Sequence, residues 1–175
     1  HMVGVSHSAV KTSTLFFVLP QGTQASTLET EDRLMLLKSY PSAAAVSGAS
    51  RLRGTVVDGL TSQPVPGAIV YAIDSATGDS LGCDYTLPDG SYDFIGLPDG
   101  DYFVAIHALN GTSPIGFIQP ANINSLVFET AETGFGPEYW DAAESNNDDA
   151  AAKNSVAVSA GATATADLVT NIDLV

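Results

Sequence analysis

The chain is 175 residues long and carries 6 Lys+Arg against 20 Asp+Glu, a formal net charge of −14. Such a surface repels phosphates and anionic headgroups, which argues against nucleic acid and acidic membrane faces as partners. Cys83 is the single cysteine, so no internal disulfide forms, and no apolar run reaches the 18 residues of a membrane span.

The chain opens His1-Met-Val-Gly4-Val-Ser-His7. A glycine three residues after one histidine and three before another lets a helix end in a left-handed turn and brings the second histidine back toward the same point. Ser8 follows, and Thr14-Leu15-Phe16 comes seven residues on from His7. Leu28-Glu-Thr-Glu31-Asp32-Arg33-Leu34-Met35-Leu36-Leu37-Lys38-Ser39-Tyr40-Pro41 then reads as a helix. Thr27 or Thr30 can cap it, acids crowd its positive end, and Leu34, Leu37 and Tyr40 share a face. Lys38 sits in the last turn and Pro41 stops it.

Residues 1–41 thus resemble the C-terminal end of a matrixin-like metzincin, whose signature is H-E-x-x-H-x-x-G-x-x-H. Leu15 stands where that family places the methionine of its Met-turn. The resemblance implies a zinc endopeptidase in the intact parent protein. His1 and His7 would ligate zinc with an upstream histidine, and an upstream glutamate would activate the metal-bound water against a protein or peptide substrate. The chain by itself holds neither of those upstream residues and is expected to be inactive. A His-Met opening is also what an expression vector leaves behind, in which case His1 carries no chemistry. No charged and apolar leader opens the chain, so the signal of an exported parent would lie upstream of residue 1.

Residues 42–50 are small, uncharged and without a periodic face, and they read as a linker. From Arg51 the pattern becomes all-β. Strands are expected at Leu52–Val57, Ala68–Ile73, Ser80–Tyr85, Ser91–Ile95 and Asp101–Ala108, then at Leu126–Glu129, Ser155–Ser159 and Ala164–Leu174. Turns fall at Pro88-Asp89-Gly90 and Leu97-Pro98-Asp99-Gly100. Alternation turns Tyr92, Phe94, Tyr102, Val104 and Ile106 inward and Phe103, Ala105 and His107 outward.

Gly54-x-Val56-x-Asp58, Pro64-Val-Pro-Gly67-Ala68-x-Val70 and Asp89-Gly90-x-Tyr92-x-Phe94-x-x-Leu97-Pro-x-Gly100-x-Tyr102 resemble the carboxypeptidase regulatory-like, transthyretin-like domain. The stretches Pro137–Asp141 and Val156–Gly161 resemble its later strands. The fold class is therefore expected to be mainly β: an antiparallel transthyretin-like β-sandwich over 51–175, preceded by a short helical remnant of a metzincin catalytic domain. The rival B-type adhesin module would need a lysine in the first strand for its isopeptide. That strand carries Arg51 and Arg53 instead.

Weaker site candidates remain. His107 reads as a sheet-stacked surface residue before it reads as a metal ligand. Asp141, Glu144, Asp148 and Asp149 form an acidic loop with oxygen ligands suited to calcium, but without Asp-x-Asp-x-Asp-Gly spacing, and a solvated loop is the plainer reading. Tyr139 and Trp140 suit a sugar or protein contact patch, or packing at the sandwich edge. Cys83 has no basic neighbour in sequence and reads as a packed residue.

Two functions follow. The first is a fragment of a secreted zinc metalloendopeptidase whose β-sandwich accessory serves substrate or surface interaction. The second is a noncatalytic binding or adhesion module of a bacterial surface protein. In either case the β-sandwich is expected to meet an extracellular polymer or surface ligand, in a secreted or cell-surface setting.

Overall fold

A computed structural model of the chain describes residues 8–16, 27–109 and 131–171. Its body is two facing sheets. One holds β4 (Ser91–Ile95) beside β1 (Arg51–Asp58), whose far side is lined first by β8 (Thr163–Thr165) and then by β9 (Leu168–Thr170). The other runs β3 (Ser80–Tyr85), β2 (Ile69–Asp74) and β5 (Gly100–His107), with β6 (Glu138–Tyr139) and β7 (Val156–Val158) sharing the outer side of β5.

The expected β-sandwich is present, with one correction to its antiparallel character. β8 and β9 both run parallel to β1, so that sheet is mixed. The single last strand expected over Ala164–Leu174 is two short strands separated by a jog at Ala166-Asp167. Thr55 N–H and its hydroxyl both donate to Asp167 Oδ1 there, at 2.8 and 3.0 Å. β6 falls within the Pro137–Asp141 stretch expected among the later strands, and the strand expected at 126–129 lies outside the described residues.

Alternation placed the core correctly. Leu52 and Val56 of β1 meet Tyr92 and Phe94 of β4, and across the gap they meet Val70, Ala72, Tyr102, Val104 and Ile106. Leu97 is 3% exposed and closes the core between β4 and β5. Burial of each large aliphatic side chain contributes roughly 1.5–3 kcal/mol before entropy, so a core of this size needs no disulfide.

α1 (Thr30–Ser39) contacts both β3 and β4 and so spans an edge of each sheet. Its first turn is closed by Asp32, whose Oδ2 accepts the Glu29 N–H at 2.9 Å; Thr27 donates to the Glu29 carboxylate instead of capping the helix itself. Leu34 is 6% exposed and belongs to the sandwich core, while Tyr40, expected on the same face, is 61% exposed beyond the last turn. The helix approaches closely because β3 offers Gly82: a Cβ there would stand 2.8 Å from Leu34 Cδ1 and 3.2 Å from the Phe94 ring. Leu34 and Phe16 thus pack on the sandwich. The stretch read as a linker contains a short exposed helix, α2 (Ala43–Ser47), capped by Ser42. Leu34→Ala is expected to cost roughly 2–4 kcal/mol by opening a cavity at this joint, and urea unfolding would measure it. A loss within 0.5 kcal/mol of zero (about the effect of a surface change) would mean that α1 is not seated on the core.

Candidate functional site

His1 and His7 lie outside the described residues, so the expected zinc pair has no described geometry. The segment that follows them is described, and it meets α1. Ser8 bridges Phe16, with Ser8 N–H donating to Leu15 C=O at 3.0 Å. Asp32 accepts the Ser13 hydroxyl at 2.6 Å and Thr14 N–H at 3.1 Å. Burial is the largest influence on Asp32 and acts to raise its pKa, but the hydrogen bonds from Ser13, Thr14 and Glu29 outweigh it and hold the group low.

Glu31 is 1% exposed. It accepts the Ser8 hydroxyl, the Cys83 N–H and the Cys83 thiol at 3.0, 3.0 and 3.2 Å. Burial pushes its pKa up to about 7 against the pull of those donors. Burial, and then the Glu31 charge, push the Cys83 thiol well above its ordinary value, so Cys83 is a packed thiol and no nucleophile. This node fastens residues 8–16 to α1 and β3, and Glu31 and Cys83 also border a small hollow of about 130 Å³ between α1, β3 and β4.

The acidic loop does converge in part. Asp141, Glu144 and Asp148 bring one carboxylate oxygen each to within 4.8 Å of one another, the one such His/Cys/Asp/Glu group among the described residues. Asp149 instead caps Ala151 at 3.0 Å. Most of the clustered oxygens are already committed to the chain. Glu144 accepts Asp141 N–H and Val169 N–H at 2.9 and 2.8 Å, and Asp148 accepts Ser145 N–H and the Asn171 side-chain amide at 2.8 and 3.0 Å. Burial first, then the charges of Asp148 and Asp141, push Glu144 up to about 7. Three shared carboxylates fall short of the six to eight oxygens of a calcium shell. The arrangement fits loop fastening better than a resident cation.

The outward face of the β3-β2-β5-β6 sheet carries the most open site. On its β3 side, Ala9 and Phe16 cover Ile69, Tyr71 and Cys83 in a second apolar cluster. Toward β6 the described residues leave a groove of about 390 Å³, with Lys11 and Thr12 on one wall and His107 and Tyr139 on the other. A second hollow of about 330 Å³ continues past His107 and Tyr139 toward Ala150 and Ala151. Strand register builds the floor: Tyr71 and Tyr139 both pair Ala105, and His107 lies two residues further along β5. Tyr71 and His107 meet edge to face with ring centroids 5.5 Å apart. Burial lowers the His107 pKa, so its imidazole is neutral at pH 7 and offers one donor and one acceptor. Lys153 Nζ stands 4.7 Å from the Phe103 ring centroid and 4.8 Å from that of Tyr139.

Tyr139 and Trp140, read together from sequence, part company. Tyr139 faces the groove, and Trp140 packs against the main core. The meeting of Phe103, Tyr139 and Lys153 escaped sequence reading because the three are spread over 51 positions. One signal was available: large aromatics at Phe103 and His107 on a row that ordinary solvent exposure does not call for.

No protein-family model matches the chain, and no curated protein does. Among solved structures, a DUF3823 family protein from Bacteroides uniformis aligns at 17% identity and a TM-score of 0.41, over 70% of this chain and 43% of that one. The dioxygenase domain of a dioxygenase–carbohydrate-binding protein fusion from Streptomyces sp. SirexAA-E aligns at 16% identity and 0.33, over 75% and 85%. Both overlaps are too slight to transfer a ligand or an activity.

Proposed function

We propose that this chain is a noncatalytic extracellular binding module that holds a polysaccharide in the groove on the outer face of its five-stranded sheet. The groove itself carries this reading. Tyr139 and Tyr71 supply ring faces and edges, while His107, Thr12 and Ser80 supply neutral polar groups around them. Sugar rings offer the complement, apolar C–H faces bordered by hydroxyls. Of the nucleophile candidates among the described residues, the Cys83 thiol is pushed well above its ordinary pKa and Ser8 donates its hydroxyl to Glu31.

The test is retention on insoluble polysaccharides and affinity electrophoresis through soluble ones. Tyr139→Ala is expected to weaken binding about tenfold or more, the effect of losing ~1.4 kcal/mol of ring contact, with the melting temperature little changed. Retention of no polysaccharide by the wild-type chain, or full retention by Tyr139→Ala, would sink the reading.

One observation favours the peptidase-fragment reading as the second. The residues that carry the matrixin resemblance (Ser8, the 13–16 turn and Glu31-Asp32) pack on one another. In that reading His1 and His7 would hold zinc in the intact parent. Its test is zinc content and peptide cleavage by a longer natural chain extending upstream of residue 1.

A further inference from the structure

We infer that the polysaccharide taken by this groove is an acidic one, its ring carboxylates meeting Lys11 and Lys153; the inference rests on the groove reading above. The distribution of the chain's few cations points this way. Among the described residues the ion pairs are Lys38 with Asp84 and Arg51 with Asp93, both beside α1 and β4. Of the two remaining lysines, both with exposed side chains, Lys11 lines the groove and Lys153 stands over the ring of Tyr139 at its border. Lys11 lines one wall. Lys153 is held against Phe103 and the Tyr139 ring on the opposite side. A cation–π contact fixes an ammonium without neutralising it, so Lys153 is placed yet keeps its charge for an incoming anion.

Asp79 lines the groove beside Lys11 but makes no ion pair with it, and Asp101 lies on β5 beyond Phe103. Glu138 is 4% exposed and its Oε2 accepts Asn171 N–H. The net charge of −14 opposes a polyanion at a distance, but at physiological salt charges are screened over about 8 Å. Within that range of a ligand lying across Tyr139, Lys11 and Lys153 are the cations an anionic group can reach. The same long-range repulsion disfavours densely charged chains such as polyphosphates. A carboxylate on each sugar ring, spaced along a stacked chain, suits both constraints.

The experiment compares polygalacturonate, the same polymer fully methyl-esterified, and neutral hydroxyethyl cellulose. Each is titrated calorimetrically into the 175-residue wild type, the K11A/K153A double variant and Tyr139→Ala. Wild type is expected to bind polygalacturonate about tenfold or more tighter than its ester. The double lysine variant should lose that preference and bind the acid and its ester alike. Tyr139→Ala should lose both polymers. Equal or tighter binding of the ester or of the neutral polymer by wild type would overturn the acidic class while leaving the groove reading in place. Full binding by Tyr139→Ala, or no binding of any of the three by wild type, would overturn both.

Discussion

Gly54→Ala is expected to be the most damaging single methyl that can be added to this chain. A Cβ at position 54 would stand 1.9 Å from the Ala166 carbonyl oxygen and 2.7 Å from its carbon. Neither is the free end of a side chain that could swing away. Ala166 is the jog between β8 and β9; its N–H donates to Arg53 C=O at 2.9 Å and its carbonyl accepts the buried Tyr92 hydroxyl. Moving it means detaching both last strands from β1. Overpacking a core commonly costs 1–3 kcal/mol, and a clash with a doubly bonded backbone group belongs at or above the top of that range, about 3 kcal/mol or more. Chemical unfolding should show a large drop in midpoint, or no soluble folded protein. Tyr92→Phe is the companion variant. It removes only the hydroxyl bond, leaves the backbone in place and is expected to cost about 1–2 kcal/mol. If Gly54→Ala were no worse than Tyr92→Phe, the β8-β9 jog would not pack on β1 as described.

The second large effect is a dependence of stability on pH, and its sign is unusual for a carboxylate. Most carboxylates in folded proteins have lowered pKa values, so acid destabilises. Glu31 and Glu144 are pushed the other way, each from 4.5 to about 7. Between those values the folded chain binds more protons than the unfolded one, so stability falls as pH rises. The contribution is fully present below pH 4.5 and is lost by the time pH has passed about 7. For the nearly inaccessible Glu31 the change amounts to about 3 kcal/mol. Glu144 is more accessible, so its share is smaller.

Glu31→Gln tests the point, because glutamine resembles the protonated acid. Its carbonyl can take the Cys83 N–H and its amide can donate to the Ser8 hydroxyl oxygen. The variant should match wild type near pH 4.5, exceed it by roughly 1–3 kcal/mol at pH 8, and show a shallower slope between. Adding Glu144→Gln should remove a further part of that falling slope, leaving the opposite slope that His107, with its lowered pKa, contributes below pH 6.5. Glu31→Ala should instead weaken the fold at every pH, since it leaves the Cys83 N–H without its acceptor. A Glu31→Gln variant less stable than wild type at pH 8 would mean that the ionised carboxylate is favoured in this pocket.

Much of the fold was legible from local pattern. β3 and β4 begin and end where alternation and the Asp-Gly turn place them, and the inward row Tyr92, Phe94, Tyr102, Val104 and Ile106 is buried as the period of two requires. α1 was legible from its acids, its apolar spacing and Pro41. These signals are local: each depends on residues a few positions apart, and the sequence by itself determined them.

What only the tertiary structure decided depends on partners far apart along the chain. The direction of β8 and β9 is one case. A strand's alternation is the same whether its neighbour runs parallel or antiparallel, so only their seating beside β1 sets it. Glu31 is another. In sequence it is one of several acids at a helix start, and only the approach of Ser8 and Cys83 buries it. The groove is the third. Outward alternation marked Phe103 and His107, but the sheet register brings Tyr71, Tyr139 and Lys153 beside them, and residues 8–16 stop short of covering them. A binding surface of this kind is made from side chains whose separate surroundings carry no local signature, so it exists only once the strands are paired.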